Sequence, residues 1–166
     1  MTTPHAPFNI LFLCTGNSAR SILAEGLMNQ ISEGRFQAYS AGSQPMGRVN
    51  PLAIETLQAL GCATDGLSSK SWDVFATPDA PKMDFIITVC DSAAGEACPY
   101  WPGVPMTAHW GFADPSRVAG DDDAKRRAFA TTAQAISQRL HLLLALPVDK
   151  LDQLSLQHHL REIGGQ

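Results

Sequence analysis

The 166-residue chain has no apolar run long enough to cross a bilayer, and Met1–Pro7 has neither the cationic start nor the apolar stretch of a secretory signal. A cytoplasmic protein without membrane association is therefore expected. Basic residues are few: 12 Lys and Arg stand against 16 Asp and Glu, for a formal net charge of −4. That balance provides no basic face for nucleic acid, so any anionic ligand must be drawn in by a local site rather than by the field of the whole molecule. Only four cysteines occur, Cys14, Cys62, Cys90 and Cys98. In a reducing compartment, and in a chain long enough to build its own core, they read as structural or redox-active thiols, not as a disulfide framework. They also lack the paired spacing of a zinc site, since only Cys90, Cys98 and His109 lie near one another, so no metal and no cofactor is assigned. There is no internal repeat and no low-complexity segment, and the length suits a single domain.

What is present begins with Phe8–Leu13, a strand-like apolar run that ends at Cys14. Small and polar residues follow (Thr15, Gly16, Asn17, Ser18, Ala19), and then Arg20 and Ser21 open a helix whose apolar positions are Ala24, Leu27, Met28 and Ile31. A loop of this composition lets backbone N–H groups turn inward, and the helix N-terminus adds positive partial charge. A tetrahedral oxyanion held there would sit within reach of the Cys14 sulfur while Arg20 gripped its oxygens through a planar fork. The same field favours thiolate over thiol, which makes Cys14 an activated nucleophile. The plainer reading is a buried cysteine at a strand end beside a surface arginine; the strand, turn and helix context favours the first reading.

Further along, Phe36–Ala41 reads as a second strand and Gly42–Asn50 as a Gly/Pro-rich loop, with Asn50 capping a helix that opens at Pro51. That helix carries Ala53, Ile54, Leu57 and Leu60 on one face and stops at Gly61. Leu67–Phe75 is irregular or briefly helical. Phe85–Val89 is a continuous apolar strand of the kind buried on both faces of a parallel sheet, and Cys90 ends it. A long loop from Asp91 to Pro105 leads to a short strand around Met106–Trp110 and a turn at Asp114-Pro115. The acidic Asp121–Asp123 stretch precedes a long helix with Phe129, Ala133, Ile136, Leu140 and Leu143 on one stripe. Pro147 breaks it, and Leu156, Leu160 and Ile163 mark a final short helix expected to pack on its own domain. Alternating strands and helices imply an α/β fold, one three-layer domain with a four-stranded parallel sheet and helices on both faces. Cys14, Cys90 and the loop bearing Asp114 then gather at the carboxyl edge of that sheet.

These motifs together carry a resemblance: Cys14-Thr-Gly-Asn-Ser-Ala-Arg-Ser21, Ala24-Glu25-Gly26, Ser40-Ala-Gly42, Asn50-Pro51, Thr88-Val-Cys90-Asp, Cys98-Pro99 and His109-Trp-Gly-Phe-Ala-Asp114-Pro115. From about residue 8 to residue 146 the chain resembles the low-molecular-weight tyrosine phosphatase superfamily, and more closely its arsenate reductase branch. The resemblance implies residues 8–146 as the phosphatase-like domain, 1–7 as a flexible N-terminus and 147–166 as a helical extension. It implies Cys14 as nucleophile and Asp114 as general acid, a role that displacement of oxygen from an oxyanion requires. It gives the substrate loop as Thr15, Gly16, Asn17, Ser18, Ala19, Arg20 and Ser21, with Ser21 donating to the Cys14 thiolate. Reduction needs two electrons, and the resemblance assigns their delivery to Cys90 and Cys98 through successive disulfides.

The expected substrate is arsenate, with phosphate or sulfate as mimics, and the expected reductant is thioredoxin or glutaredoxin with glutathione; the protein is expected to act as a monomer. Asn17, Glu25, Ser40 and Asp73 fall where some arsenate reductases assemble a potassium site, but they suit ordinary turn and cap hydrogen bonds equally, and no ion is assigned. Trp72, Trp101 and Trp110 read as packing residues and Cys62 as structural. Two departures stand out. Ala19 replaces an additional cysteine that many relatives carry, and the Cys90–Cys98 loop is one residue longer than in the best-known thioredoxin-coupled pattern. The rival readings are a protein tyrosine phosphatase and a noncatalytic oxyanion or redox sensor. Ser116-Arg117 after Asp114-Pro115, where phosphatases usually carry tyrosines, argues against the first.

Overall fold

The computed structural model describes residues 7–89, 106–148 and 153–164. Four strands, β1 (Phe8–Leu13), β2 (Phe36–Ala41), β3 (Phe85–Thr88) and β4 (Met106–His109), form one parallel sheet in the order β2-β1-β3-β4. The third and fourth are each one residue shorter than the sequence suggested. Val89 and Trp110 nonetheless extend the ladder, donating their N–H groups to Leu13 O and Thr88 O at 2.9 and 2.7 Å.

β1 lies in the middle, and Ile10, Leu11, Phe12 and Leu13 are fully buried because alternate side chains enter opposite cores. Ile10 and Phe12 join Phe85 and Ile87 on the face covered by the α-helices, whereas Leu11 and Leu13 join Phe75, Met83 and Ile86 on the other. Helices therefore lie on both faces in unequal shares. Among the described residues, all four α-helices that contribute to the core do so on the first face, and a 3-10 turn at Trp72–Phe75 covers the second.

Helix α1 (Arg20–Ile31) buries far more than one stripe, with Ser21, Ile22, Leu23, Ala24, Gly26, Leu27 and Met28 all inside. It is wedged between the sheet and two further helices, α2 (Pro51–Ala59) and α3 (Asp122–Leu144). Asn50 caps α2 by accepting from Leu52 N–H at 2.9 Å, and Gly61, at φ +79°, ends it in the left-handed conformation that a glycine adopts without steric cost. Leu60 departs from expectation. It lies past the last helical residue and is exposed, so the helix is anchored by the buried Ala53 and Leu57 with the partly buried Leu52 beside them.

α3 buries Phe129, Ala133, Ile136, Leu140 and Leu143, the stripe expected from its spacing. The last helix, α4 (Gln153–Gly164), sets Leu156, Leu160 and Ile163 into the same core. It lies along β4: the Trp110 indole N–H donates to Leu160 O at 3.0 Å, and the Gln157 side chain bonds both backbone groups of Thr107. Replacing the fully buried Leu160 with alanine should cost about 2–5 kcal/mol, the range for emptying a buried leucine site. Urea unfolding would measure it, and a loss of only a few tenths of a kcal/mol would mean that α4 is a dispensable appendage.

Candidate functional site

The turn from β1 into α1 forms a cavity of about 240 Å³ lined by Cys14, Thr15, Gly16, Asn17, Ser18, Ala19 and Arg20, and closed by Asp114, Ser116 and Arg117. Its shape follows from where the loop carbonyls are held. Thr15 O accepts from Gln44 N–H at 2.9 Å, Gly16 O from Met46 N–H at 3.0 Å and Ser18 O from Asn50 N–H at 2.9 Å, so all three point out toward the 42–50 segment. A trans peptide sets N–H opposite C=O, so the N–H groups of Gly16, Asn17 and Ala19 point the other way, toward the cavity. α1 adds its own N-terminus. Ala19 supplies no side-chain cap and the first turn carries no acidic residue, which leaves those donors available to an anion.

Asn17 makes the bend, at φ +46°, a left-handed conformation that asparagine tolerates better than most residues. It is fully buried, and its side chain is committed: Nδ2 donates to Ser21 Oγ at 2.8 Å and to Ser40 Oγ at 3.0 Å, while Oδ1 accepts from Lys70 N–H at 2.9 Å. Ser40 in turn donates to Glu25 Oε1 at 2.5 Å. Burial pushes the Glu25 carboxyl up from its ordinary value, opposed by the Ser40 hydrogen bond and the Lys70 charge. Burial likewise pushes the Lys70 ammonium down, opposed by Glu25. Gly42 packs under the loop so closely that a Cβ there would lie 2.4 Å from Thr15 O and 2.7 Å from Cys14 O, which excludes any side chain at this position.

The opposite wall is set by a second group of contacts. Arg20 Nη1 donates to Phe112 O at 2.9 Å and Nη2 lies 3.5 Å from Asp114 Oδ2, so the guanidinium ties the loop to the segment after β4. Asp114 caps a 3-10 turn (Pro115–Arg117), accepting from Ser116 N–H at 2.9 Å and Ser116 Oγ at 2.6 Å. Arg117 approaches the same carboxylate at 3.5 Å with its side chain 87% exposed. From α3, Arg139 donates to Gly111 O at 3.1 Å and stacks over the Phe112 ring at 4.6 Å.

Of the residues expected to form the site, the structure brings Cys14, Thr15, Gly16, Asn17, Ser18, Ala19, Arg20 and Asp114 to one cavity. Ser21 is buried behind the loop and accepts from Asn17. Cys90 and Cys98 lie outside the described residues, as does Trp101; Trp110 is fully buried. Of the four residues considered for potassium, Asn17, Ser40 and Glu25 are linked, whereas Asp73 sits exposed in the 3-10 turn. Ser116, Arg117 and Lys70 were not foreseen. The first two directly follow the Asp-Pro pair, and a turn capped by Asp114 would have pointed to them; Lys70 has no local signal.

A family model for the low molecular weight phosphotyrosine protein phosphatase matches residues 9–154. The chain belongs to that family. Its relatives include the arsenate reductase of Bacillus subtilis, 35% identical over 131 residues that cover 79% of this chain and 91% of the relative. Arsenate reductase 2 of Staphylococcus saprophyticus is 38% identical over 107 residues, covering 64% of this chain and 78% of the relative. A solved arsenate reductase in the phosphate binding state is 25% identical with a TM-score of 0.63, covering 83% of this chain and 97% of its own. A tyrosine phosphatase from T. tengcongensis, at 21% identity and a TM-score of 0.64 over 87% of this chain and 99% of its own, shares the fold. The chain thus stands with the arsenate reductase members of the family. All but the first two residues of α4 lie past the end of the family match.

Cys62 is the other described cysteine. It is buried among apolar side chains, and burial pushes its pKa above the ordinary value of 9.0. A thiol that holds its proton through neutral pH reacts slowly, because the thiolate is the nucleophile. Iodoacetamide at neutral pH, followed by peptide mass mapping, should therefore modify Cys14 at least about a hundredfold faster than Cys62, with Cys62 catching up only in strongly alkaline solution. Equal rates would remove the case for a specially activated Cys14.

Proposed function

We propose that this protein reduces arsenate to arsenite in the cytoplasm. The observation that carries the reading is the lining of the cavity. Among the described residues its walls are backbone amides, two guanidiniums, a carboxylate and small side chains, with no aromatic ring. At about 240 Å³ it is smaller than the roughly 300–1,000 Å³ typical of sites for larger organic ligands. A phosphotyrosine ring needs flat apolar walls; a tetrahedral inorganic oxyanion needs donors and charge. The arsenate reductase relatives support the same substrate.

In this reading the Cys14 thiolate, helped by the Ser21 hydroxyl proton, attacks arsenic. One As–O bond breaks, Asp114 gives the departing oxygen a proton, and water leaves. The loop amides and Arg20 stabilise the charge on the remaining oxygens. The Cys90 thiolate then attacks the Cys14 sulfur. The S–As electron pair stays with arsenic, arsenite departs and a Cys14–Cys90 disulfide forms. Attack by Cys98 on Cys90 releases Cys14 and leaves a Cys90–Cys98 disulfide for thioredoxin, or glutaredoxin with glutathione, to reduce. Support for the second step comes from the sheet: Val89, the residue before Cys90, donates its N–H to Leu13, the residue before Cys14, at 2.9 Å.

The test is arsenate-dependent oxidation of NADPH by the purified protein with each reductant system, run beside hydrolysis of a phosphotyrosine mimic. Cys14→Ser should abolish both activities. Cys90→Ser should abolish multiple turnover of arsenate while sparing slow phosphate ester hydrolysis. Full arsenate turnover by Cys90→Ser would eliminate the relay. Efficient phosphotyrosine hydrolysis without arsenate turnover would instead favour the phosphatase activity that the family name carries.

A further inference from the structure

We propose that Lys70 is a positioning residue of the oxyanion loop, acting as a tethered monovalent cation that holds Asn17 and Ser40 in the arrangement the loop needs. The inference rests on the reading of the cavity as an oxyanion site.

Every polar group of Lys70 is spent on a different segment of the site's support. Its main-chain N–H donates to Asn17 Oδ1 at 2.9 Å, and its carbonyl accepts from Gly42 N–H at 2.9 Å. Its ammonium donates to Ser40 O at 2.9 Å and Ser68 O at 2.7 Å. Two carbonyls beside the partly buried carboxylate of Glu25 make an oxygen-rich, negative environment that suits a cation. Here the cation is covalently attached. The ammonium pins Ser40 through its carbonyl, and the Ser40 hydroxyl completes the link from Asn17 Nδ2 to Glu25 Oε1.

The consequence for the site lies in Asn17. Its left-handed backbone is what reverses the loop, and its side chain is held from one side by Lys70 N–H and from the other by Ser21 and Ser40. Remove the ammonium and Ser40 loses a charge-assisted contact while Glu25 keeps a partly buried charge without its counterpart. Buried unpaired carboxylates take up protons, and a protonated Glu25 competes as a donor for the Ser40 hydroxyl. The chain from Glu25 through Ser40 to Asn17 can then rearrange, and the loop amides lose their common focus.

The probe is inorganic phosphate, titrated calorimetrically into the reduced full-length protein, with the rate of Cys14 alkylation as a second readout. Lys70→Met keeps the length of the side chain and removes the charge. It should weaken phosphate binding and slow Cys14 alkylation by about tenfold each, the scale of one charge-assisted contact. In Lys70→Ala, ammonium or potassium chloride should restore part of the affinity that choline chloride does not. A merely structural lysine would lower the melting temperature and leave phosphate affinity, measured well below it, unchanged; that result overturns the assignment. Wild-type protein provides a test independent of variant folding: the 15N-coupled ammonium resonance of Lys70 should persist at neutral pH and shift on phosphate titration, and a resonance indifferent to phosphate also overturns it. Wild-type protein that binds no phosphate would overturn the oxyanion reading itself, and this inference with it.

Discussion

A single buried amide, that of Asn17, determines whether the turn between β1 and α1 is an anion cradle or an ordinary loop. The bend at Asn17 carries φ +46°, outside the regions that most side chains prefer, and is held by three hydrogen bonds from a side chain with no exposure to solvent. Each partner comes from a different element: Ser21 from α1, Ser40 from β2 and Lys70 from the segment before the 3-10 turn. Sheet, helix and connecting loop therefore meet at one side chain. The cost of burying so polar a cluster is recovered only when every member is satisfied, which makes the network specific as well as stabilising.

The other half of the site depends on Arg20 in a comparable way. Its guanidinium holds the Phe112 carbonyl and lies beside Asp114, so the helix that opens at the cavity also locates the carboxylate. Arg139 and Trp110 fix the same segment from behind, the first by stacking on Phe112 and the second by bonding α4. The acid-bearing segment is thus clamped from three helices, although it is itself a connection between β4 and α3. Electrostatic preorganisation requires that rigidity, because donors that must move into place lose most of their advantage.

Much of this was legible in the chain. The short, β-branched run Phe85–Val89 suits a strand buried on both faces, and the α3 stripe from Phe129 to Leu143 shows its period plainly. The loop from Cys14 to Arg20 was legible too, because strand end, small residues and helix start are contiguous in sequence. Leu60 misled because a helix period continues on paper after the cap has ended the helix. Lys70 was invisible for a different reason. Its role depends on parallel pairing that brings residues 17, 40 and 70 together, and an isolated lysine between serines carries no mark of that meeting. Arg117 was readable as the absence of a tyrosine, but its approach to Asp114 required the capped turn to be seen.

The charge pattern of the site bears on how a chain of net negative charge handles an anionic ligand. Asp114 lies 3.5 Å from both Arg20 and Arg117, so a carboxylate of the protein itself faces the two guanidiniums. On the proposed reading an incoming oxyanion competes with that carboxylate for the two guanidiniums. As the arginines turn to the ligand, the Asp114 carboxyl gives up its ion pairs and is left to the ligand. Arg117 is suited to such exchange: its side chain is exposed and its pair with Asp114 is weakly held, whereas Arg20 is anchored by the Phe112 carbonyl. A phosphotyrosine ring would have to pass Arg117 and Ser116, while a compact tetrahedral ion finds donors on both of them. Substrate size and proton delivery would then be governed by the same arginine.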